Sequence, residues 1–508
     1  MDISNSQMLP QPVEDLLAKK DKLIAEQQEK IETLSSKLSW FEQQFNLLRS
    51  KKFSKSSETQ HALQLSLFDE DDQELQQELE NPKQETITYT RKKPNRNNKP
   101  LDTSALPREI NVIDLSDEEK QCTCGNCLEQ FGEDRREELV FQPAQFKVIE
   151  HVRPKYTCRS CETVKMAKAV ELPIPKSKAS ASLIAEVILN KYQYHLPFYR
   201  QSKMMANHQI TIPDNTLAGW VMKASEQLAP LGEALWQAIH SVHVLQADET
   251  PVKLLKPEKK AYMWLYHCYL PGKQFVVFDF HLGRGSAAVD TRLEQFSGLL
   301  QTDGYAGYNN QRKRKDIISL GCWDHARRKF TDVVKACGNN KTGKAGKILK
   351  KIAELYDIES RIKTLTFDER KRIRQKEAKP KLAAIHSFLM KINAPPKSLL
   401  ATAVNYCKNQ WADLTQYIDY GEAQISNCWI ENQVRPFAVG KRNWLFVGNE
   451  ASAQKAALLY SLIQSCLLNK INPRQYLVYV LKQVHAIRRR EVSPDSLLPH
   501  TINPQLIK

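Results

Sequence analysis

The sequence predicts a multidomain α/β protein, and three observations carry that prediction. Apolar residues recur every seven positions near the N-terminus. Two Cys-x2-Cys pairs stand thirty residues apart. Segments rich in aromatic and β-branched residues run from 242 to 322, ahead of a long helical stretch. At 508 residues the chain holds several domains, and 41% hydrophobic residues suffice for at least one substantial core. Lys and Arg number 74 against 58 Asp and Glu, a formal charge of +16. That excess favours a polyanionic partner, although ribosomal and membrane-surface proteins share it. No apolar run reaches the roughly 18 residues of a bilayer span, and the N-terminus lacks a signal-peptide pattern, which predicts a cytosolic protein. Eleven cysteines in that reducing compartment argue for metal or buried thiols rather than disulfides.

The first element, at 13–60, is a helix that needs a partner. Leu17, Ile24, Ile31, Leu38 and Phe45 form one seam, and Leu34, Phe41 and Leu48 a second one in the later turns. Glu, Gln and Lys fill the positions between, as the solvated face of a coiled coil requires. Lys20 and Gln27 make the first turns weak. No other apolar segment lies nearby to cover the seam, so the heptads predict a homo-oligomer. Residues 61–105 follow as a disordered linker, acidic from Asp69 to Glu80 and basic, Pro- and Asn-rich from Arg91 to Pro100.

A zinc ribbon is predicted at 106–175. Cys124, Cys127, Cys158 and Cys161 provide four soft thiolates, the ligand set of a closed, structural tetrahedral zinc site. Cys122 competes with Cys124 for the first place. Gln145–Arg153 between the pairs has strand character, with His151 a packed strand residue. Cys268, Cys322 and Cys466 lie in apolar surroundings and read as core.

Residues 176–240 read as a helical segment. Pro197–Ala206 and Pro213–Val221 are separated by a short gap, with Asp214 placed to cap the second helix. The pair suits a helix-turn-helix unit that binds DNA, or an ordinary helical hairpin; composition does not separate them.

The remaining chain predicts an α/β domain at 241–330 and 421–470, interrupted by a helical insertion at 331–420 and followed by a C-terminal helix and tail at 471–508. Asp248 closes the apolar strand 242–247, and Asp303 closes a second at 298–302. Two β-rich segments between them, 261–268 and 274–280, join through Pro271-Gly272. Glu431 stands on a later helix. Acids just past buried strands lie at a sheet edge where substrates bind and where magnesium finds hard oxygen ligands. Two such acids and a third from a helix can hold two Mg²⁺ ions astride a phosphodiester. The insertion segment 341–397 carries 16 Lys and Arg against 6 Asp and Glu, a charge that suits phosphate contact.

The words around these acids resemble the transposases of the insertion-sequence-66 family. The resemblance rests on Ala247-Asp248-Glu249-Thr250-Pro251-Val252, Leu300–Tyr308, Cys322–Phe330, and a stretch from Glu431 through Arg435-Pro436 to Gly440–Phe446, in family order. It covers about residues 15 to 485. The family often reads Asp-Asn-Asn before its glutamate and Arg after it; this chain has Ser426, Asn427, Cys428 and then Asn432. The resemblance implies a DDE triad of Asp248, Asp303 and Glu431 on a ribonuclease-H-like fold, with three meander strands and a crossover to a fourth beside the first. It implies Mg²⁺-dependent cleavage of element ends and transfer of their 3′-hydroxyls to target DNA. His325, at a helix start after the fifth strand, is placed to approach the scissile phosphate. Arg327, Arg328, Lys329, Arg435, Lys441, Arg442 and Trp444 are the DNA-binding candidates, pairing phosphates and stacking bases. A bacterial, nucleoid-associated location and accessory proteins of the same element follow as partners. A structure-specific endonuclease of the same fold, or a DNA-binding regulator with an inactive centre, are the competing readings.

Overall fold

The computed structural model describes residues 146–153, 155–157 and 164–507, apart from 271 and 338–341, together with helical positions between 20 and 46. The chain forms two compact units, residues 70–149 and the remainder; of the first, only 146–149 are described. The 61–105 linker and the candidate zinc ligands Cys122, Cys124, Cys127, Cys158 and Cys161 lie outside the described residues. The described heptad positions are helical, and Ile31 and Leu38 are 65% and 61% exposed on the single chain.

Two short strands, β1 (Lys155–Thr157) and β2 (Val164–Met166), pair antiparallel with Thr157 opposite Val164. The strand expected at Gln145–Arg153 is not seen among the described residues: 146–153 are exposed and not in a strand, and His151 faces solvent rather than a core. Strand propensity is largely a preference for packing on neighbouring strands, and no described strand is in register with this stretch.

Four helices follow: α1 (Ala181–Tyr192), α2 (Phe198–Ala206), α3 (Asp214–Gln227) and α4 (Ala229–Ile239). Ser180 caps α1, its hydroxyl accepting from the Leu183 N–H at 3.2 Å. Asp214 is not the cap of α3. Pro213 holds that flanking position, and the Asp214 carboxylate accepts from Asn215 N–H inside the first turn.

The sheet contains β3 (Val244–Leu254), β4 (Lys259–Leu270) and β5 (Lys273–His281), then, after α5 (Ser286–Arg292), β6 (Gly298–Gln301) and β7 (Ile317–Leu320). Its order is β5-β4-β3-β6-β7. The first three strands make an antiparallel meander, and β6 crosses over to lie parallel to β3, the order that the family resemblance implied. β7 then adds in parallel beside β6. Gly298 permits the crossover strand to begin: its φ is +132°, and a Cβ there would stand 2.6 Å from the His243 carbonyl oxygen.

The insertion region is helical: α6 (Trp323–Ala336), α7 (Lys344–Ile362), α8 (Phe367–Ile373), a π turn at Arg374–Ala378, α9 (Lys379–Met390), α10 (Leu399–Asn409) and α11 (Trp411–Gln416). The chain ends with α12 (Cys428–Trp444), α13 (Glu450–Leu468) and α14 (Pro473–Arg488). One core joins α1–α4, the meander strands, α13, α14 and the terminal Leu497, Leu498 and Ile502. The segments read from sequence as separate, 176–240 and 471–508, therefore pack into the sheet's own core. A second core seats the insertion helices against Leu299, Leu320 and Trp323.

The exposed edge of the meander is covered in an unusual way. Helix α13 lies along β5, and Ser461 and Ser465 accept hydrogen bonds from the N–H groups of Phe278 (2.8 Å) and Val276 (3.0 Å). Asn469 accepts from Gln274 N–H at 3.3 Å. Four residues of helix advance about 6 Å and two residues of strand about 6.6 Å, so one helical face can serve alternate strand amides. The unpaired edge that would otherwise invite another chain is thereby closed.

Candidate active site

The site is organised by a word that occurs twice, Gln-x-Asp. Gln246 and Gln301 sit opposite one another in the parallel β3–β6 pair, both fully buried. Gln246 Nε2 donates to Gln301 Oε1 at 2.8 Å. Each glutamine has an aspartate two residues further on, and the same register brings the two acids together. Asp303 lies just past the end of β6, whereas Asp248 does not close its strand as expected but stands inside β3, which stays paired with β4 as far as Leu254. Gly304, at φ +94°, turns the chain directly after Asp303, and the Tyr305 N–H donates back to Asp303 Oδ1 at 2.8 Å.

The same two glutamines hold the third acid. Gln246 Nε2 also donates to the Ser426 carbonyl (3.2 Å), and its Oε1 accepts from the Ile430 N–H (3.1 Å) in the first turn of α12. Gln301 Nε2 donates to the carbonyls of Gly321 (3.0 Å) and Gln424 (2.8 Å). Asn427, retained where the surrounding word departs from the family pattern, donates from Nδ2 to the Ala247 carbonyl at 3.3 Å and from its N–H to Cys322 Sγ at 3.2 Å. Asn432, the residue after the glutamate, is exposed. Glu431, one residue past the anchored Ile430, is buried beside the strand ends.

Burial and like charge shape the electrostatics. Burial pushes the Asp248 carboxyl well above the usual carboxylate range, and the charges of Glu249, Asp303 and Glu431 push further. Burial likewise raises Glu431, against the opposing Arg328 guanidinium 3.4 Å from its Oε2. His325 Nδ1 lies 3.6 Å from Glu431 Oε1. Burial pushes this imidazole down to about 4, outweighing the pull of Asp303. Neither His325 Nδ1 nor Glu431 Oε1 has a hydrogen-bond partner, although both are buried. With Cys322 Sγ they form a group of possible metal ligands, all within 4.8 Å of one another.

The other nominated residues divide. Arg327 is exposed, pairs with Asp324 at 2.9 Å and covers the Tyr356 ring. The Lys329 ammonium stands 4.8 Å from the ring centre of Tyr406, whose hydroxyl donates to the Asp303 carbonyl at 2.6 Å. Arg435 is half-buried one turn beyond Glu431, and Lys441 donates to the Pro251 carbonyl at 3.0 Å. Arg442 is exposed. Trp444 is buried against Phe437, ring centres 5.6 Å apart, so it is a core residue and not a surface on which bases stack. Of the insertion's basic excess, Arg374 is spent inside. It is fully buried, forks onto both Glu359 oxygens (2.8 and 2.6 Å) and donates to the carbonyls of Tyr417, Tyr420 and Ala423. That holds the segment leading to α12.

Residues that the sequence reading passed over prove central here. Besides the glutamines, Glu249 is a fourth acid at the site, its side chain 2% exposed and its carboxyl raised by burial and by Asp303. Arg284 pairs with it at 2.6 Å, and Tyr308 donates to it at 3.2 Å. The signal was the repeated Gln-x-Asp, polar side chains on the inward positions of otherwise apolar strands.

The chain is similar to known proteins over most of its length. Residues 176–455 match the family described as transposase IS66 family. Residues 119–162 match the zinc-finger binding domain of transposase IS66, and residues 40–110 match a domain described as transposase C of IS166 homeodomain. Two uncharacterized proteins of Sinorhizobium fredii are similar along most of their length. Protein y4jD is 29% identical over 415 residues, covering 78% of this chain and 81% of the relative. Protein y4hP is 30% identical over 430 residues, covering 79% and 76%. No helix among the described residues is long and apolar enough to cross a membrane.

Proposed function

The chain belongs to the IS66 family of transposases, and from that premise we propose that it cuts DNA at the ends of its element and joins the freed 3′-hydroxyls to a target. The observation that carries this reading is the paired register of Gln246 and Gln301. It sets Asp248 beside Asp303, and Gln246 ties the first turn of the Glu431 helix while Gln301 holds the Gln424 carbonyl ahead of it. Three meander strands followed by two parallel ones support reading the sheet as ribonuclease-H-like. The zinc-finger match supports a structural zinc on Cys127, Cys158, Cys161 and one of Cys122 or Cys124.

Asp248, Asp303 and Glu431 fit a pair of Mg²⁺ ions. They offer hard oxygens, Asp248 and Glu431 are raised by crowding and burial, and Glu431 Oε1 is buried without a partner. When bound, such ions supply Lewis acidity to the attacking hydroxyl and charge neutralisation to the leaving oxygen. The chain's own residues do the rest. Arg328 steadies Glu431, and His325, neutral at pH 7, lies against the carboxylate without adding charge. Joining exchanges one phosphodiester for another: the element's 3′-oxygen bonds to phosphorus as a target 3′-oxygen leaves. No nucleotide is consumed.

The test compares Asp248→Asn, Asp303→Asn and Glu431→Gln with the native chain on labelled element ends. Each change should abolish strand cleavage in Mg²⁺ and leave DNA binding largely intact. Near-normal cleavage by any variant removes that residue from the centre. Pre-cut ends that are never joined to target would instead make the chain an endonuclease.

A further inference from the structure

Fourteen residues past Glu431, helix α12 ends in a turn that exposes what most turns bury. Leu445 adopts φ +64° and ψ −40°, a region that leucine rarely occupies and that recurs at functional sites. Its side chain is 69% exposed and that of Phe446 40%; Leu255, at the end of β3, is 44% exposed. The backbone fastens these three into one tip. Val447 N–H donates to the Lys253 carbonyl, Leu255 N–H to the Val447 carbonyl and Lys256 N–H to the Gly448 carbonyl, each at 2.9 Å. Buried Trp444 anchors the turn from the helix side, and Leu445 N–H closes onto the Lys441 carbonyl at 2.7 Å.

A contiguous exposed apolar tip marks a contact surface, and its charge chooses the partner. Residues 251–260 and 441–450 carry Lys253, Lys256, Lys259, Lys260, Lys441 and Arg442 against Glu258 and Glu450. A second copy of the chain meeting this patch face to face would set like charge on like charge. A polyanion would be drawn to it.

We propose that Leu445 and Phe446, with Leu255 beside them, form an apolar wedge that enters between stacked bases of bound DNA. Lys256 and Lys259, exposed beside them, hold the flanking phosphates, while Lys441 stays on the Pro251 carbonyl and Lys253 on Glu258. The proposal rests on the reading that DNA is cut at Asp248, Asp303 and Glu431, because it places the wedge relative to them. Along α12, fourteen residues from Glu431 to Leu445 rise about 21 Å. Along β3, seven residues from Asp248 to Leu255 advance about 23 Å. The two independent routes agree. At about 3.4 Å per base pair the wedge meets DNA roughly six or seven pairs from the cut. Inserted apolar side chains unstack one step and kink the duplex, and a strained, doubly fastened turn presents them rigidly.

The full-length chain is tested against the double variant Leu445→Ala, Phe446→Ala, both at exposed positions that no core packing needs. Element-end duplexes carry 2-aminopurine at successive positions on either side of the cut. The native chain should brighten one step about six or seven pairs away on one side, and the variant should lose that rise while binding within threefold of native affinity (about 0.6 kcal/mol). Cleavage by the variant should fall on the order of tenfold on paired DNA, the size of one lost stacking contact. It should recover on DNA mismatched at that step. No bright step with the native chain overturns the wedge, as does a variant that keeps the rise or is not rescued by the mismatch. A variant that changes oligomeric state in light scattering with no change in fluorescence also overturns it, assigning the tip to contact between chains. Brightening at that step by a native chain that never cuts would support the wedge and sink the cleavage reading instead.

Discussion

Replacing Gln246 by leucine should cripple catalysis without touching a carboxylate. The side chain is fully buried and takes part in three hydrogen bonds, with Gln301 Oε1, the Ser426 carbonyl and the Ile430 N–H. Leucine is close in volume, so the change removes bonds rather than opening a cavity. Each buried polar group left without a partner costs about 1–3 kcal/mol. The two oxygens tolerate the loss better than the amide, which sets the total near 4 kcal/mol. The first turn of α12 then keeps Asn427 on the Ala247 carbonyl as a remaining tie to β3. A shift of Glu431 by about 1 Å would cost cleavage on the order of 100-fold. Urea unfolding measures the first quantity, Mg²⁺-dependent nicking at saturating protein the second, and filter binding shows whether DNA affinity is spared. In a double-mutant cycle with Gln301→Leu, the bond the two glutamines share is lost only once, so the pair should cost about 1–2 kcal/mol less than the sum of the singles. A rate within threefold of native, alongside the full stability loss, would refute the reasoning: the glutamines would then hold the sheet and not Glu431.

Three further outcomes follow from the same structure. The folded pKa of His325, about 4, lies below its ordinary 6.5. The unfolded chain therefore takes the proton first, and His325's contribution is present above about 6.5 and lost as pH falls toward 4. The gap, 6.5 minus about 4, sets that contribution near 3 kcal/mol at most. Asp248 and Glu431, raised by burial, act in the opposite sense and are common to both proteins. His325→Gln should thus flatten the acid-side loss of stability; equal slopes from pH 7 to pH 4.5 for variant and native chain would count against it. Arg374→Met should cost about 3–5 kcal/mol in thermal or urea unfolding, because the Glu359 carboxylate is left inside without its cation; a loss below about 1 kcal/mol would mean that water takes over the pairing. Ile31→Lys with Leu38→Glu should lower the oligomeric state and weaken paired-end binding while single-end binding persists, and a chain lacking its first 60 residues that still dimerises as tightly would move the pairing surface elsewhere.

The strands themselves could be read from short-range pattern, whereas their order and the neighbourhood of the acids came from the family resemblance. Apolar, β-branched runs and a turn at Pro271-Gly272 are local signals, but where β3 ends is not: it runs on past Asp248 to Leu254 because β4 pairs with it that far. The structure adds what no local signal carries, namely who satisfies whom. Gln246 and Gln301 look like polar blemishes in apolar strands until distant groups arrive to use them: the Ser426 carbonyl and Ile430 amide at Gln246, some 180 residues away in sequence, and the Gln424 carbonyl at Gln301. Ser461, Ser465 and Asn469 would likewise weaken a purely apolar helix face, yet they are what closes the β5 edge.

The end of α12 shows most clearly where pattern reading stops. Trp444, Leu445 and Phe446 are three consecutive large apolar residues, and the Trp had the strongest claim to a DNA surface because it stacks best. Helical periodicity assigns faces only while φ stays near its helical value. At Leu445 it turns positive, the 100° advance per residue ends, and the next side chains leave the face that the helix had kept inward. So Trp444 packs on Phe437 inside, and Leu445 and Phe446 stand outside. One backbone dihedral reverses the assignment. The residue best suited to touch bases by its chemistry is spent on anchoring, and the turn presents Leu445 and Phe446 to solvent instead.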